Sequence, residues 1–251
     1  MIYVTGDTHG DFSRFDPMLF PKQRKMDKSD TVIICGDFGG VWSGGTWEEA
    51  LLDRLEQLPF TLAFLTGNHE NYDRLETFPL TEWNGGKART IREHVLMLCR
   101  GQVFNIEGKT FFTMGGAQSH DLWNGVLDPE DPKFRQKYEF LSSEGEFFRV
   151  KGASWWPQEL PEQADYEEGW ENLRRHDMKV DYVLTHCAPL EIQRRLVPLL
   201  HNGSYPENDL TEFLQQVSEQ VSFGGWYFGH YHTERKMGPY RVIYRGIDRL
   251  V

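Results

Sequence analysis

Five short stretches of the chain place metal-binding side chains directly after apolar runs. They supply two Asp, one Asn and four His, and four of the five stretches contain glycine. Oxygen and nitrogen donors without a thiolate suit Mn, Fe, Zn, Ni or Co. The set is the right size for two metal ions that share one bridging carboxylate. Its members are Asp7, His9, Asp37, Asn68, His186, His230 and His232.

The segments before these residues read as β-strands that would position them. Loops leaving the carboxyl ends of buried parallel strands present short side chains to a crevice above the sheet. Apolar runs typical of strands buried on both faces precede four of the stretches, at 1–4, 31–35, 61–65 and 182–184. An aromatic run precedes the fifth, where alternation would point His230 and His232 the same way. For the other histidines we expect ordinary core or surface roles: His94, His120, His176 and His201.

The order of the motifs resembles that of the calcineurin-like metallophosphoesterases. That order is Asp-x-His, Gly-Asp, Gly-Asn-His-Glu, a lone His and Gly-His-x-His, and it covers residues 5–232 here. Gly-Gly-Ala and Trp-Trp-Pro stretches, which this chain also has, are similar to those of a bacterial subgroup of the family. The resemblance implies an α/β fold, a four-layer sandwich of two mixed β-sheets flanked by helices. It also implies a metal-dependent phosphoesterase, either a phosphatase or a phosphodiesterase.

The resemblance further implies a role for each site residue. Asp37 would bridge two divalent ions, with Mn the first choice of metal. The other ligands would divide into Asp7, His9 and His232 on one ion and Asn68, His186 and His230 on the other. A hydroxide between metals about 3.5 to 4 Å apart would attack the phosphoryl group directly. His69 corresponds to the family histidine near the leaving group, a general acid or charge stabiliser.

Two departures separate the chain from Ser/Thr-type protein phosphatases and dinucleoside tetraphosphatases. Those enzymes extend the second motif with Asp-Arg-Gly, whereas here it reads Gly36-Asp37-Phe38-Gly39-Gly40 with no Asp at position 40, and they carry an arginine in place of Thr66. Two phosphate-binding arginines and the carboxylate that orients His69 are therefore missing, so these enzymes are the alternative assignment. A non-catalytic scaffold is a second alternative, which the complete ligand set disfavours.

Composition limits the partners and the compartment. With a formal net charge of −11 the protein as a whole does not attract a long nucleic acid. Two bound cations would still make the pocket locally positive, which suits a small phosphorylated metabolite or nucleotide. No apolar run approaches the roughly 18 residues of a membrane span, and a strand beginning at Met1 leaves no room for a signal peptide. Three cysteines without framework spacing predict no disulfide scaffold. We therefore expect a cytoplasmic protein.

The remaining patterns predict the organisation of the chain. Ligands spread from Asp7 to His232 indicate one domain over 1–251. Helices are predicted at 11–26, 46–57, 164–176, 189–200 and 208–222, and further strands at 94–98, 102–106, 110–114 and 241–244. Residues 116–163 lack this periodicity and are predicted to form a lid-like insertion. Trp155 and Trp156 could stack on a substrate ring or anchor the lid. Arg149 and Arg92 are candidate phosphate ligands.

Overall fold

The computed structural model of the chain describes residues 1–200 and 205–251, so His201 lies outside the described residues. A seven-stranded mixed sheet consists of six strands from the first half of the chain and one C-terminal strand, in the order β15-β1-β2-β3-β6-β5-β4. Its four central strands are parallel to one another. The strands are β1 (Ile2–Thr5), β2 (Thr31–Ile34), β3 (Thr61–Phe64), β4 (Leu80–Trp83), β5 (Gly86–Arg92), β6 (Val95–Leu98) and β15 (Ile247–Arg249).

A six-stranded mixed sheet carries most of the second half, in the order β13-β14-β12-β11-β8-β7. Glu107 and Gly108 both have positive φ angles in the tight turn that joins the strands Gln102–Ile106 and Lys109–Met114. The strands are β7 (Gln102–Ile106), β8 (Lys109–Met114), β11 (Lys179–Thr185), β12 (Ser222–Phe228), β13 (Arg235–Met237) and β14 (Tyr240–Val242). A separate parallel pair is formed by β9 (Val126–Leu127) and β10 (Arg149–Val150).

The two large sheets face each other across a buried apolar layer. Side chains such as Val4, Ile33, Phe104, Phe111 and Leu184 come from both sheets and are fully buried in this layer. Apolar helix faces cover the outer side of each sheet. The helices are α1 (Thr46–Glu56), α2 (Tyr72–Leu75), α3 (Phe134–Ser143), α4 (Gln163–Arg175), α5 (Leu190–Leu196) and α6 (Asp209–Gln220). The predicted α/β sandwich of two mixed sheets between helices is confirmed.

One predicted helix is wrong. Residues 11–26 form two short 3-10 turns, Ser13–Phe15 and Pro21–Lys25, rather than an α-helix. Asp16 and Phe20 each precede a proline, and both have ψ angles outside the helical range, 134° and 68°. The residue before proline is sterically driven away from the helical region, so the apolar periodicity of this segment could not be realised as a helix.

The segment 116–163 is fixed at its base. The backbone N–H of Ser119 and its hydroxyl both donate to the buried carboxylate of Glu159, at 3.0 and 2.6 Å. Trp156 is only 3% exposed, and its indole N–H donates to Asp73 at 2.8 Å. The middle of the segment contains α3, which has no buried residue. The insertion is therefore anchored at both ends, and its central helix stands on the surface.

Among the described helices none is both long and apolar enough to cross a bilayer. The thiols of Cys35, Cys99 and Cys187 are all unpaired.

Candidate metal centre

The parallel strands of both sheets end at one edge of the sandwich. Asp7 follows β1, Asp37 follows β2 and Asn68 follows β3, while His186 follows β11 and His230 follows β12. Loops at the carboxyl ends of parallel strands share one side of a sheet. Because the two sheets face each other, these loops meet, and the seven predicted ligand residues come together.

Asp7, His9, Asp37 and His232 form the first half of the cluster. One ligand atom from each lies within 4.8 Å of the others. Nε2 of His232 is 3.1 Å from Oδ2 of Asp7, and Nδ1 of His9 is 3.7 Å from Oδ2 of Asp37. Nε2 of His9 is 2.9 Å from Nε2 of His232. This half thus has two carboxylates and two imidazoles converging on one point.

Asp37 also belongs to the second half, with Asn68, His186 and His230. Nε2 of His186 lies 3.3 Å from Oδ1 of Asp37 and 3.3 Å from Oδ1 of Asn68. The imidazole of His230 lies beside that of His186, with ring centroids 5.1 Å apart. Asp37 therefore presents Oδ2 to the first half and Oδ1 to the second.

The tautomer of His186 fits a metal ligand. Its Nδ1 lies 2.7 Å from the carbonyl oxygen of Cys35, which can only accept, so Nδ1 carries a proton. If the ring is neutral, the lone pair on Nε2 is then directed at the oxygens of Asp37 and Asn68. The repulsion between these electron-rich atoms is relieved only by a cation or a proton between them. Burial acts to lower the pKa of His186. The negative charges of Asp37 and Asp7 have the larger combined effect and raise this pKa to about 9.

The rest of the donor set also fits divalent cations. The side-chain nitrogen of Asn68 is buried without a hydrogen-bond partner among the described residues, so its oxygen rather than its nitrogen is directed at the other ligands. Burial acts to raise the pKa of Asp37, but the neighbouring His186, His69 and His9 hold it well below its usual range. Burial lowers the pKa of His230, so this ring stays neutral and able to ligate. Carboxylate, amide and imidazole donors of this kind suit first-row transition metals.

Tight turns at the strand ends aim these side chains. His9, Asp37, His230 and His232 all have positive φ angles, between 46° and 67°. Non-glycine residues seldom adopt this conformation, and it concentrates at functional sites. The backbone approaches the two carboxylates so closely that only glycine fits at two nearby positions. A Cβ on Gly67 would lie 2.1 Å from Oδ1 of Asp37, and a Cβ on Gly229 would lie 2.1 Å from Oδ1 of Asp7.

Comparison with known proteins agrees with this geometry. The sequence profile described as Calcineurin-like phosphoesterase matches residues 1–234. The chain belongs to the calcineurin-like phosphoesterase family. Membership confirms the predicted enzyme class, a metal-dependent phosphoesterase.

A provisionally assigned 5′-nucleotidase from Staphylococcus aureus, solved in complex with alpha-ketoglutarate, is similar to this chain at 16% identity with a TM-score of 0.44. The match covers 98% of this chain but only 49% of that protein, so the chain spans about half of its length. Comparison with curated proteins finds no match.

Hydrogen bonds from the backbone hold the carboxylates of this phosphoesterase in place. The N–H of His69 donates to Oδ1 of Asp37 at 2.8 Å, and the N–H of His230 donates to Oδ1 of Asp7 at 3.1 Å. Glu70 is fully buried and accepts from the N–H of Phe38 at 2.7 Å. Burial and the charge of Asp37 raise the pKa of Glu70 to about 8.

Arg14 was not identified from the sequence, yet it ties the chain termini together below the site. Its guanidinium donates to the carbonyl oxygens of Gly6, Asp7 and Tyr244. The ring of Tyr244 in turn stacks on the imidazole of His232 at 4.6 Å. Nothing in the segment around Arg14 signals this role, because it depends on the pairing of β1 with the C-terminal strand.

His69 lies beside the cluster and meets the lid-like insertion. Its ring centroid is 5.3 Å from that of His9. Nη2 of Arg149 lies 3.5 Å from Nδ1 of His69, and Asp121 holds the same guanidinium through an ion pair, with Nε 3.2 Å from Oδ1. The structure thus brings Arg149 to the site.

The other substrate-binding candidates lie elsewhere. The guanidinium of Arg92 bonds to Glu49 and Asp53 on α1, at 2.6 and 2.9 Å, and makes no contact with the described residues of the cluster. Trp156 is buried against Trp42, with ring centroids 5.5 Å apart, and anchors the insertion, the alternative role considered above. Trp155 is half-buried at the same base. Arg92 and Trp156 therefore contact residues outside the cluster.

An ordinary role was expected for His120, but its ring lies against that of the candidate ligand His230. Its ring stacks on Tyr205 at 4.8 Å and meets the ring of His230 edge-on at 5.5 Å. Burial lowers the pKa of His120. The adjacent polar residues His120 and Asp121, in a segment with little secondary structure, were the available signal.

Proposed function

We propose that this phosphoesterase holds two divalent metal ions and hydrolyses phosphomonoesters or phosphodiesters of small metabolites or nucleotides. The observation that carries the proposal is the position of Asp37. Its two carboxylate oxygens face different groups of ligand side chains, at 3.3 Å from His186 on one side and 3.7 Å from His9 on the other. A carboxylate in this position can serve two ions at once.

The division of the ligands is the one that the family resemblance implies, and the contacts within each half of the cluster support it. Asp37 would be shared, with Asp7, His9 and His232 completing one ion and Asn68, His186 and His230 completing the other. Mn is the metal we would test first, and Fe, Zn, Ni and Co suit the same donors. Bound there, two divalent cations neutralise phosphoryl charge and lower the pKa of water, the chemistry that two-metal phosphoesterases use.

In this proposal His69 supplies a proton to the departing oxygen. An N–H of Arg149 directed at Nδ1 of His69 favours the tautomer whose proton is on Nε2. The backbone N–H of His69 is bound to Asp37, so the imidazole stays beside the cluster. A leaving alkoxide would take the proton held on Nε2, and the imidazolate left behind would be stabilised by the Arg149 guanidinium until water returns the proton.

Covalent catalysis by cysteine is disfavoured. Burial raises the pKa of Cys187 to about 12 and that of Cys35 well above its usual value. Thiols in this state are protonated at neutral pH and poor nucleophiles. Neither buried cysteine is therefore the nucleophile in this proposal.

The proposed organisation is one domain over 1–251 whose insertion at 116–163 limits the size of the substrate. Arg149, Asp121 and His120 come from this insertion and lie at the site, which favours a small ester over a long polymer. The net charge of −11 also disfavours a long nucleic acid.

The alternatives lack support at the positions that distinguish them. Protein phosphatases and dinucleoside tetraphosphatases carry an arginine where this chain has Thr66. Thr66 is buried and closely packed, since a Cβ on Gly115 would lie 2.7 Å from the Thr66 hydroxyl. At Gly40, the position of the missing carboxylate, a Cβ would lie 2.5 Å from the ring of Phe38. A non-catalytic scaffold would have no need for seven converging ligands.

The test is turnover of a panel of phosphomonoesters, phosphodiesters and dinucleotides by protein loaded with Mn, and again after chelation and reloading. Asp37→Asn is the inactive control. We expect hydrolysis that disappears with the metal and returns with it. A protein that binds two equivalents of metal yet hydrolyses no member of the panel would support the scaffold instead.

A further inference from the structure

A cavity of about 330 Å³ opens between the insertion and the segment before α6. Its described lining consists of Gln118, Ser119, His120, Leu122, Trp123 and Pro206. Small-molecule sites run from about 300 to 1,000 Å³, so this cavity has room for one ring system with its sugar rather than for a polymer.

The cavity adjoins the metal centre. His120 lines it and at the same time lies edge-on to His230, with ring centroids 5.5 Å apart. The next residue, Asp121, holds Arg149 against His69 on the other side of the site. Two consecutive residues of the insertion therefore reach both sides of the cluster, and the cavity beside them lies next to any ester bound there.

The lining is unsuited to a second phosphate. None of its described members is Lys or Arg, the carboxylate of Glu159 is bonded to Ser119, and that of the neighbouring Asp121 is paired with Arg149. Leu122, Trp123 and Pro206 provide apolar surface. Such walls favour an uncharged, flat group.

Trp123 is the side chain that could hold that group. It is 76% exposed, whereas Trp156 is 3% exposed and bonded to Asp73. Tryptophan faces bind bases by stacking, and an exposed indole next to an apolar cavity has its face available. Ring stacking, which the sequence suggested for Trp155 and Trp156, is better served by Trp123.

Gln118 adds a polar group at the rim. Its Oε1 accepts from Nδ2 of Asn208 at 3.1 Å, and Oδ1 of Asn208 accepts from the N–H of Thr211. The cap on α6 thus orients the Gln118 amide and leaves its NH2 group as a donor, with no partner among the described residues. A ring nitrogen or carbonyl oxygen is the matching acceptor.

We infer that this cavity is a subsite for the leaving group and takes a planar heterocycle such as a nucleobase, stacked on Trp123 and bonded by Gln118. The inference rests on the proposed phosphoester hydrolysis and names its substrate class, a nucleoside phosphate.

The test compares adenosine 5′-monophosphate with ribose 5-phosphate, because both release a primary alcohol and differ in the base. For the metal-loaded wild type we expect kcat/KM to favour the nucleotide by roughly tenfold or more, the range of one stacked base. Trp123→Ala should remove this preference and leave ribose 5-phosphate unchanged within about twofold, while Trp123→Phe keeps most of it. Trp47→Ala is the matched control, since Trp47 is 84% exposed on α1.

Saturation-transfer NMR with adenosine separates this inference from the reaction itself, because adenosine has no phosphate to hydrolyse. Binding of adenosine that is lost in Trp123→Ala would uphold the subsite even if neither ester were turned over. An equal signal in wild type and Trp123→Ala would overturn it. So would a wild type that hydrolyses both esters equally well, or a variant that loses activity on both to the same degree.

Discussion

The backbone N–H of His69 donates to Oδ1 of Asp37 at 2.8 Å, so the residue proposed as proton donor is held by the carboxylate proposed to bridge the metals. The same oxygen is 3.3 Å from Nε2 of His186. Three loops, after β2, β3 and β11, therefore meet at one atom. Any change at Asp37 should affect both the metals and the position of His69.

His69→Ala should impair esters according to their leaving groups. An alkoxide needs a proton as it departs, whereas nitrophenolate leaves without one. We expect a loss about a hundredfold greater on alkyl or nucleoside esters than on nitrophenyl esters, which corresponds to roughly 2.7 kcal/mol. His94→Ala is the control, because His94 is paired with Glu56 away from the site. Equal losses on both substrates, with metals retained, would assign His69 to binding instead.

Arg149→Ala should lower kcat/KM without changing metal content. A charge-assisted hydrogen bond contributes about 1.5 to 3 kcal/mol, so the expected loss is roughly 10- to 100-fold. Lys151→Ala is the matched control, since Lys151 is bonded to Asp128 at the surface. Elemental analysis and steady-state kinetics on both variants check this. Loss of metal from Arg149→Ala would show that the insertion supports the centre rather than the substrate.

Gly67→Ala should weaken metal binding although no ligand is altered. The added Cβ would lie 2.1 Å from Oδ1 of Asp37, so the carboxylate must move. Changes in groups that support ligands typically reduce metal affinity about 10- to 100-fold. Gly45→Ala provides the comparison, because its Cβ would meet only Ser43, at 3.7 Å. Titration with Mn after chelation measures both, and equal affinities would refute the close approach.

Stability of the metal-free protein should fall as pH rises. The pKa of His186 is raised to about 9 in the folded state from its ordinary 6.5, so its stabilisation is complete below pH 6.5 and is lost as pH approaches 9. The pKa of Glu70 is raised to about 8 because burial disfavours its charged form. Ionisation of Glu70 at higher pH therefore also lowers the stability of the folded protein.

Thermal unfolding in chelator between pH 6 and 9.5 measures this fall. The melting temperature of His186→Asn should depend less on pH, and Glu70→Gln isolates the other contribution. A wild type without Mn whose stability rises over this range would contradict the assignment.

The ligand loops could be predicted from the sequence because each follows an apolar strand and most include a glycine. Parallel pairing of β1, β2 and β3 then brings Asp7, Asp37 and Asn68 together without further information, whereas His186 comes from the second sheet. The roles of these residues as ligands remain predictions.

The contacts of the insertion could not be predicted, because they join residues far apart in sequence. Arg149 meets Asp121 and His69, and Trp156 meets Asp73, through contacts that local periodicity does not encode. The role of Arg14 is hidden for the same reason. The helix expected at 11–26 failed because Pro17 and Pro21 interrupt it.

The most direct test of the two-metal centre is the metal content of purified wild type, Asp37→Asn and His186→Ala, measured by elemental analysis after loading with Mn. Two equivalents are expected in the wild type, a loss of both in Asp37→Asn, and a loss of chiefly one in His186→Ala. Two full equivalents in folded Asp37→Asn would contradict the bridging role of Asp37 and, with it, the proposed centre.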